Sequence, residues 1–126
     1  MVTEYINEFQ IKGCVYWKCY KLCKNGLPRT TLGVKHYDSE RERIRHFLVT
    51  FFNNIAISID KNLAKGDSVW IKGYLNNNIY ENKNGNLISE TQLIGNQYEL
   101  IDDIELPVYK SVEDGIEQLE EDNNEC

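Results

Sequence analysis

At Asn53 the periodicity of this sequence changes, and by Ser68 it has changed back; any fold must accommodate that single interruption. Upstream, apolar and polar residues alternate. Phe9, Ile11, Gly13, Val15 and Trp17 share one face of an extended run, with Gln10, Lys12, Cys14, Tyr16 and Lys18 on the other. A period of two is the mark of a half-buried strand. Asn25-Gly26 and Pro28 signal a turn. A second strand fits Arg29 to Tyr37, and the charged run Asp38 to Arg43 reads as an exposed loop. A third strand, Ile44 to Phe52, sets Phe47, Val49 and Phe51 on an apolar face and His46, Leu48, Thr50 and Phe52 on a mixed one. From Asn53 onward Ile55, Ile59 and Leu63 recur every four residues, as on one side of a helix. Gly66 follows as a natural C-terminal stop.

A fourth strand begins at Ser68, with Val69, Ile71, Gly73 and Leu75 inward and Trp70, Lys72 and Tyr74 outward. Asn84-Gly85 is the strongest hairpin signal in the chain. A last strand covers Leu87 to Leu93 and extends toward Ile101. Three strands, one helix and a two-stranded hairpin make an all-β chain in the order of an OB-fold, a small five-stranded barrel with its helix between strands 3 and 4. At 126 residues the chain suits one domain. We expect the barrel to occupy residues 1–106 and an acidic tail residues 107–126. In the tail, Val108, Val112, Ile116 and Leu119 have helical spacing, and Ser111 with Asp114 resembles a capping box. A short docking helix and a disordered tail both fit that pattern.

The net charge of −6 hides a division. Residues 1–98 carry 13 Lys/Arg against 9 Asp/Glu, whereas residues 99–126 carry Lys110 against 11 acids. A mildly basic body with an acidic tail is one pattern of a nucleic-acid binder, although a charge run is more often a solvated face. Cys14, Cys19, Cys23 and Cys126 lack the close Cys-x-x-Cys pairs of structural zinc sites, and His36 and His46 form no ligand pair. Reduced thiols and no metal or cofactor are therefore expected. No long apolar window crosses a membrane, and the N-terminus carries no secretory pattern, so a cytoplasmic protein is expected. No nucleophile–base pair or phosphate-cradling glycine loop points to an enzyme.

From Phe52 onward the chain resembles the bacterial-type single-stranded DNA-binding protein family. The resemblance is carried by Phe52, the helix Asn53 to Ala64, Lys65-Gly66, the strand Val69-Trp-Ile-Lys-Gly73-Tyr-Leu75, Tyr80 before Asn84-Gly85, and Thr91-Gln-Leu-Ile94. Upstream, Phe9-Gln-Ile-Lys-Gly13 looks like the family's first strand. Residues 6 to 101 are covered. The resemblance implies an OB-fold that binds and protects single-stranded DNA in replication, recombination, repair or plasmid and phage DNA transfer. It also implies assembly into dimers or tetramers. Two features depart from it. The tail ends Asp122-Asn-Asn-Glu-Cys126 without the family's Pro-Phe tip, which puts recruitment of replication and repair partners in doubt. His46 stands where an aromatic residue is common.

Sequence-independent binders combine a basic groove with aromatic platforms, each stacked base contributing about 1–3 kcal/mol. Phe52 and Tyr80 match aromatic positions of the family and are the leading stacking candidates, with ordinary packing at the strand–helix junction the lesser alternative for Phe52. Trp70 and Tyr74 project from the fourth strand and could stack or, for Trp70, join subunits. Trp17 aligns with the core face, Tyr37 with the groove edge. His46 is a weaker platform. Lys12, Lys35, Arg43, Arg45, Lys72 and Lys83 are the candidate phosphate contacts, each adding about −0.7 to the slope of log K against log salt. The acidic tail is expected to compete with DNA for this groove at high effective concentration; truncation after Leu106 tests this, since unchanged low-salt affinity would exclude it. The alternative reading is an OB-fold accessory subunit that binds protein, and RNA is an alternative ligand for the same groove.

Overall fold

The computed structural model describes residues 5–102. The elements run β1 (Phe9–Leu22), β2 (Pro28–Asp38), β3 (Arg43–Phe52), α1 (Asn53–Asn62), β4 (Ser68–Glu81) and β5 (Leu87–Leu100), and the strands close into a barrel in the order β1-β2-β3-β5-β4. The pairs are antiparallel except β3 with β5, which run parallel through Val49↔Leu93 and Thr50↔Ile94. This is the five-stranded barrel with one inserted helix that the sequence order implies. The candidate tail helix at residues 108–119 lies outside the described residues.

Alternation becomes burial directly. Val15, Leu32, Val34, Val49, Phe51, Val69 and Ile71 fill the barrel, and Ala56, Ile59 and Leu63 close one end from α1. Phe51 is completely buried, a contribution of about 1.5–3 kcal/mol relative to an exposed ring. Gly95 exists to admit it: a Cβ there would sit 2.1 Å from Phe51 Cε1.

α1 starts abruptly. Phe52 is its extended N-cap and offers no side-chain bond. Asn53 then takes φ +62°, a left-handed conformation that Asn accepts more readily than most residues. The helix stops at Asn62 rather than at a glycine, because the chain leaves Leu63 in an extended conformation. Gly66 (φ +99°) serves the next turn instead, donating its N–H to Val15 O at 2.8 Å while Val15 N–H donates to Asp67 O.

That turn sits against a β-bulge. Val15 pairs with Val34 and Trp17 with Gly33, so Tyr16 is the extra residue. The bulge corrects the simple alternation: beyond it Trp17 joins the outer face with Gly33, and Lys18 turns inward opposite Leu32. Inside, Lys18 Nζ donates to Asp60 O at 2.7 Å and Leu63 O at 2.9 Å. It thereby satisfies carbonyls that a helix C-terminus leaves unpaired. Thr30, also buried, donates Oγ1–H to Ala56 O at 2.7 Å.

The β4–β5 pair continues past the barrel as an arm to Glu81↔Leu87. Its tip closes by Gly85 N–H donating to Asn82 O, with Gly85 at φ +81°. Asn82 Oδ1 accepts from the N–H groups of Asn84 and Asn86. Among the cysteines expected as free thiols, Cys23 is free. Cys19 departs from that expectation: it is disulfide-bonded. No helix among the described residues is long and apolar enough to cross a membrane.

Candidate nucleic-acid interface

Strand register assembles one outer surface from β1, β2, β3, β5 and β4. Its first row runs Lys21, Arg29, Phe52. The next runs Cys19, Thr31, Thr50, Ile94, Tyr74. Trp17, Gly33 and Leu48 follow, then Lys35 beside His46 and Tyr37 beside Ile44. β5 leaves β3 at this point, and the arm carries Asn76, Asn78 and Tyr80 on the same side as Tyr74. Between strand face and arm lies an open groove of about 530 Å³, lined by Thr31, His46, Phe47, Leu48, Thr50, Thr91, Gln92 and Leu93.

The floor is firm. Tyr16, only 4% exposed, meets His46 edge-on with ring centroids 5.0 Å apart. Its ring covers Gly33, where a Cβ would lie 2.7 Å from Tyr16 Cζ. The platforms are open: Phe52, Tyr74 and Tyr80 are 38%, 41% and 41% exposed, and Leu48 is 54% exposed. Aromatic and aliphatic surface at this exposure, flanked by Thr, Asn and Gln, suits stacking of bases and has little else to pack against.

The candidate residues divide by location. Phe52, Tyr74, Tyr80, His46, Tyr37 and Lys35 share the outer surface just described, and Lys83 stands exposed at the arm tip. Trp70 and Lys12 sit elsewhere, paired with each other across β1 and β4. Trp70 Nε1–H donates to Gln10 Oε1, and the indole lines a second groove of about 520 Å³ with Ile55, Gln97, Tyr98 and Glu99. Lys72 lies nearby, bound to Glu8 at 3.0 Å. Arg43 and Arg45 point to the opposite side of the β2–β3 ribbon from His46, opposite Asp38 and His36. Arg45 Nε donates to Asp38 Oδ2 at 3.1 Å, and Arg41 also binds that carboxylate. Desolvation would raise the Asp38 pKa, but the hydrogen bonds from Arg45 and Arg41 outweigh it and hold the group below its ordinary value. On the arm, the hydrogen bond to Glu90 holds the Tyr80 phenol above its ordinary value.

Arg29 pairs with Phe52 and Lys21 lies one strand further along the same row, and neither makes an ion pair among the described residues. Sequence reasoning passed over both. The available signal was register: counting back from Phe52 across a two-stranded pair reaches Arg29.

A sequence model of the single-strand binding protein family matches residues 20–101, well over half of the chain. The chain belongs to this family. No curated protein matches the sequence closely enough to be counted a relative. Among solved structures, the mitochondrial single-stranded DNA binding protein Rim1 of S. cerevisiae is similar at 16% identity and TM-score 0.63, covering 79% of this chain and 99% of that one. The Plasmodium falciparum SSB, solved as a complex with ssDNA, is similar at 20% identity and TM-score 0.62, covering 81% of this chain and 100% of that one. At such identities the likeness concerns the barrel. In OB-folds the β2–β3 face and the loop between β4 and β5 are the surfaces that hold oligonucleotides; here that face carries Phe52, His46 and Leu48, and Tyr80 stands on β4 just before the loop.

Proposed function

We propose that this member of the single-strand binding family binds single-stranded DNA without sequence preference, along the outer surface from Lys21 to Tyr80. The observation that carries the reading is the exposure of Phe52, Tyr74 and Tyr80 on the same outer face of the strands as His46, Leu48 and Thr50, which line the open groove. Stacking needs only a base's π-face, so such a surface tolerates any sequence. Phosphates would follow Lys21, Arg29, Lys35 and Lys83. Protection of exposed strands during replication, recombination or repair, or during plasmid or phage DNA transfer, follows from coverage of the bases.

One barrel covers about 4–16 nucleotides, so we infer a homo-oligomer, dimer or tetramer, with the groove beside Trp70 as the subunit contact. The binding domain is assigned to residues 1–106 and the acidic tail to residues 107–126, in a cytoplasmic protein. The accessory-subunit reading draws support from Arg45 and Lys72, whose charges are already engaged by Asp38 and Glu8.

Titration with fluorescently labelled oligo-dT of about thirty nucleotides across a salt series tests the reading, with duplex DNA and matched RNA as controls. Quenching of intrinsic fluorescence by the single strand alone, weakening as salt rises and lost in Phe52→Ala/Tyr80→Ala, is expected. No binding at low salt would leave the barrel as a protein-interaction module.

A further inference from the structure

The arm is laced by side-chain bonds between β4 and β5. Asn76 Nδ2 donates to Gln92 Oε1 at 3.1 Å, and Ser89 Oγ donates to Asn77 Oδ1 at 2.8 Å. Both are neutral pairs. The third is not: Tyr80 Oη donates to Glu90 Oε1 at 2.8 Å. Register sets Tyr80 opposite Ile88 and Asn78 opposite Glu90, so this bond runs diagonally on the face of the arm that also carries Tyr74. Glu90 makes no ion pair with a cation among the described residues. A full negative charge thus stands beside an exposed ring on a surface whose proposed ligand is a polyanion. A carboxylate there repels phosphate, so its presence asks for an offsetting use.

Resting on the DNA-binding reading above, we propose that Glu90 is a positioning residue that locks the Tyr80 ring as a preformed stacking platform and drives the phosphate backbone toward Lys21 and Arg29. The two effects have opposite signs and separate by substitution. Holding one ring in place before binding avoids an ordering penalty equivalent to about two- to tenfold in affinity. A unit charge about 7 Å from a phosphate in water opposes binding by about threefold at low salt, and salt screens it.

The experiment is oligo-dT titration of Tyr80→Phe, Glu90→Gln and Glu90→Ala in the full chain at low and high salt. In parallel, ring-labelled tyrosine is titrated by NMR, with Tyr80→Phe assigning the resonance. Tyr80→Phe keeps the ring and the charge but loses the lock, so it is expected to bind about two- to tenfold more weakly at every salt concentration. Glu90→Gln keeps an acceptor and loses the charge, so it should bind about threefold more tightly at low salt and like wild type at high salt. Glu90→Ala should fall below Glu90→Gln by the lock's factor throughout. The Tyr80 phenol should titrate above its ordinary value near 10.0 in wild type and return toward it in Glu90→Ala. Equal affinities for Glu90→Gln and Glu90→Ala, or an ordinary Tyr80 titration in wild type, would overturn the proposal. A raised titration in a wild type that binds no oligo-dT would overturn the platform role through failure of the DNA-binding reading, with the lock itself intact.

Discussion

Replacing Lys18 by Met should lower the melting temperature by roughly 10 °C. The ammonium donates to two carbonyls at the end of α1, at 2.7 and 2.9 Å, where Leu63 N–H also donates to Ile59 O. A hydrogen bond involving a charged group contributes about 1.5–3 kcal/mol, and a cation at a partly buried helix C-terminus up to about 2 kcal/mol. These describe the same interaction and are not summed. The two bonds together contribute about 3–6 kcal/mol and ordering the lysine costs up to about 2 kcal/mol, so the net is about 1–4 kcal/mol and is taken as about 2 kcal/mol. The ion pair with Asp60 adds little, since it spans 3.6 Å with side chains 26% and 38% exposed, and such pairs contribute about 0–1 kcal/mol. For a barrel of roughly a hundred residues each kcal/mol moves the midpoint by about 4–8 °C. Met preserves the stem's length and apolar contacts. Thermal unfolding followed by tryptophan fluorescence at fixed protein concentration reads the effect, with Asp60→Asn as the control, expected within about 3 °C of wild type. If Lys18→Met also fell within 3 °C, or if Asp60→Asn matched it, the capping argument would be refuted.

Three other outcomes follow from the geometry. Arg29→Ala and Lys21→Ala should each flatten the salt dependence of oligo-dT binding by about 0.7 in log–log slope, while Arg45→Ala, already engaged by Asp38, changes it by less than half of that. The Asp38 carboxyl is held below its unfolded value near 3.8, so its contribution is present above that pH and lost as pH falls through the lower folded value. The stability gap between wild type and Asp38→Asn should therefore close below about pH 4 in acid unfolding, and a constant gap would contradict the assignment. Gly95→Ala drives a methyl into the buried Phe51 ring and should cost about 1–3 kcal/mol, read as a lower urea midpoint at unchanged m-value.

The element order was legible because each segment carries its own local signal. Alternation marks Val69, Ile71 and their strand, the four-residue spacing of Ile55, Ile59 and Leu63 marks α1, and Asn84-Gly85 marks the hairpin. Phe52 was legible as a surface ring because it follows buried Phe51 by one residue. The bulge at Tyr16 was not legible. Val15 to Tyr20 are all acceptable strand residues, and the extra residue is imposed by Gly66 and Asp67 bonding to Val15 from far along the chain. That one insertion moved Trp17 out of the core and turned Lys18 from the surface to the helix. Arg29 and Lys21 escaped notice for a related reason: their proximity to Phe52 depends on register across three strands. Charge partners were invisible too, since the Asp38–Arg45 and Glu8–Lys72 pairs are products of pairing and not of spacing.

The parallel contact of β3 with β5 spans only Val49↔Leu93 and Thr50↔Ile94, against ladders of six pairs or more elsewhere. A closed sheet breathes where its ladder is shortest, so the barrel has a built-in seam, and the seam runs under the groove. Those amides among Val49, Thr50, Leu93 and Ile94 whose N–H groups point across the seam should exchange with solvent first among the central strands. A strand of DNA lying across Leu48, Thr50 and Gln92 would bridge both lips of that seam. Ligand would then act as a suture, slowing exchange at these amides more than at the β1–β2 ladder.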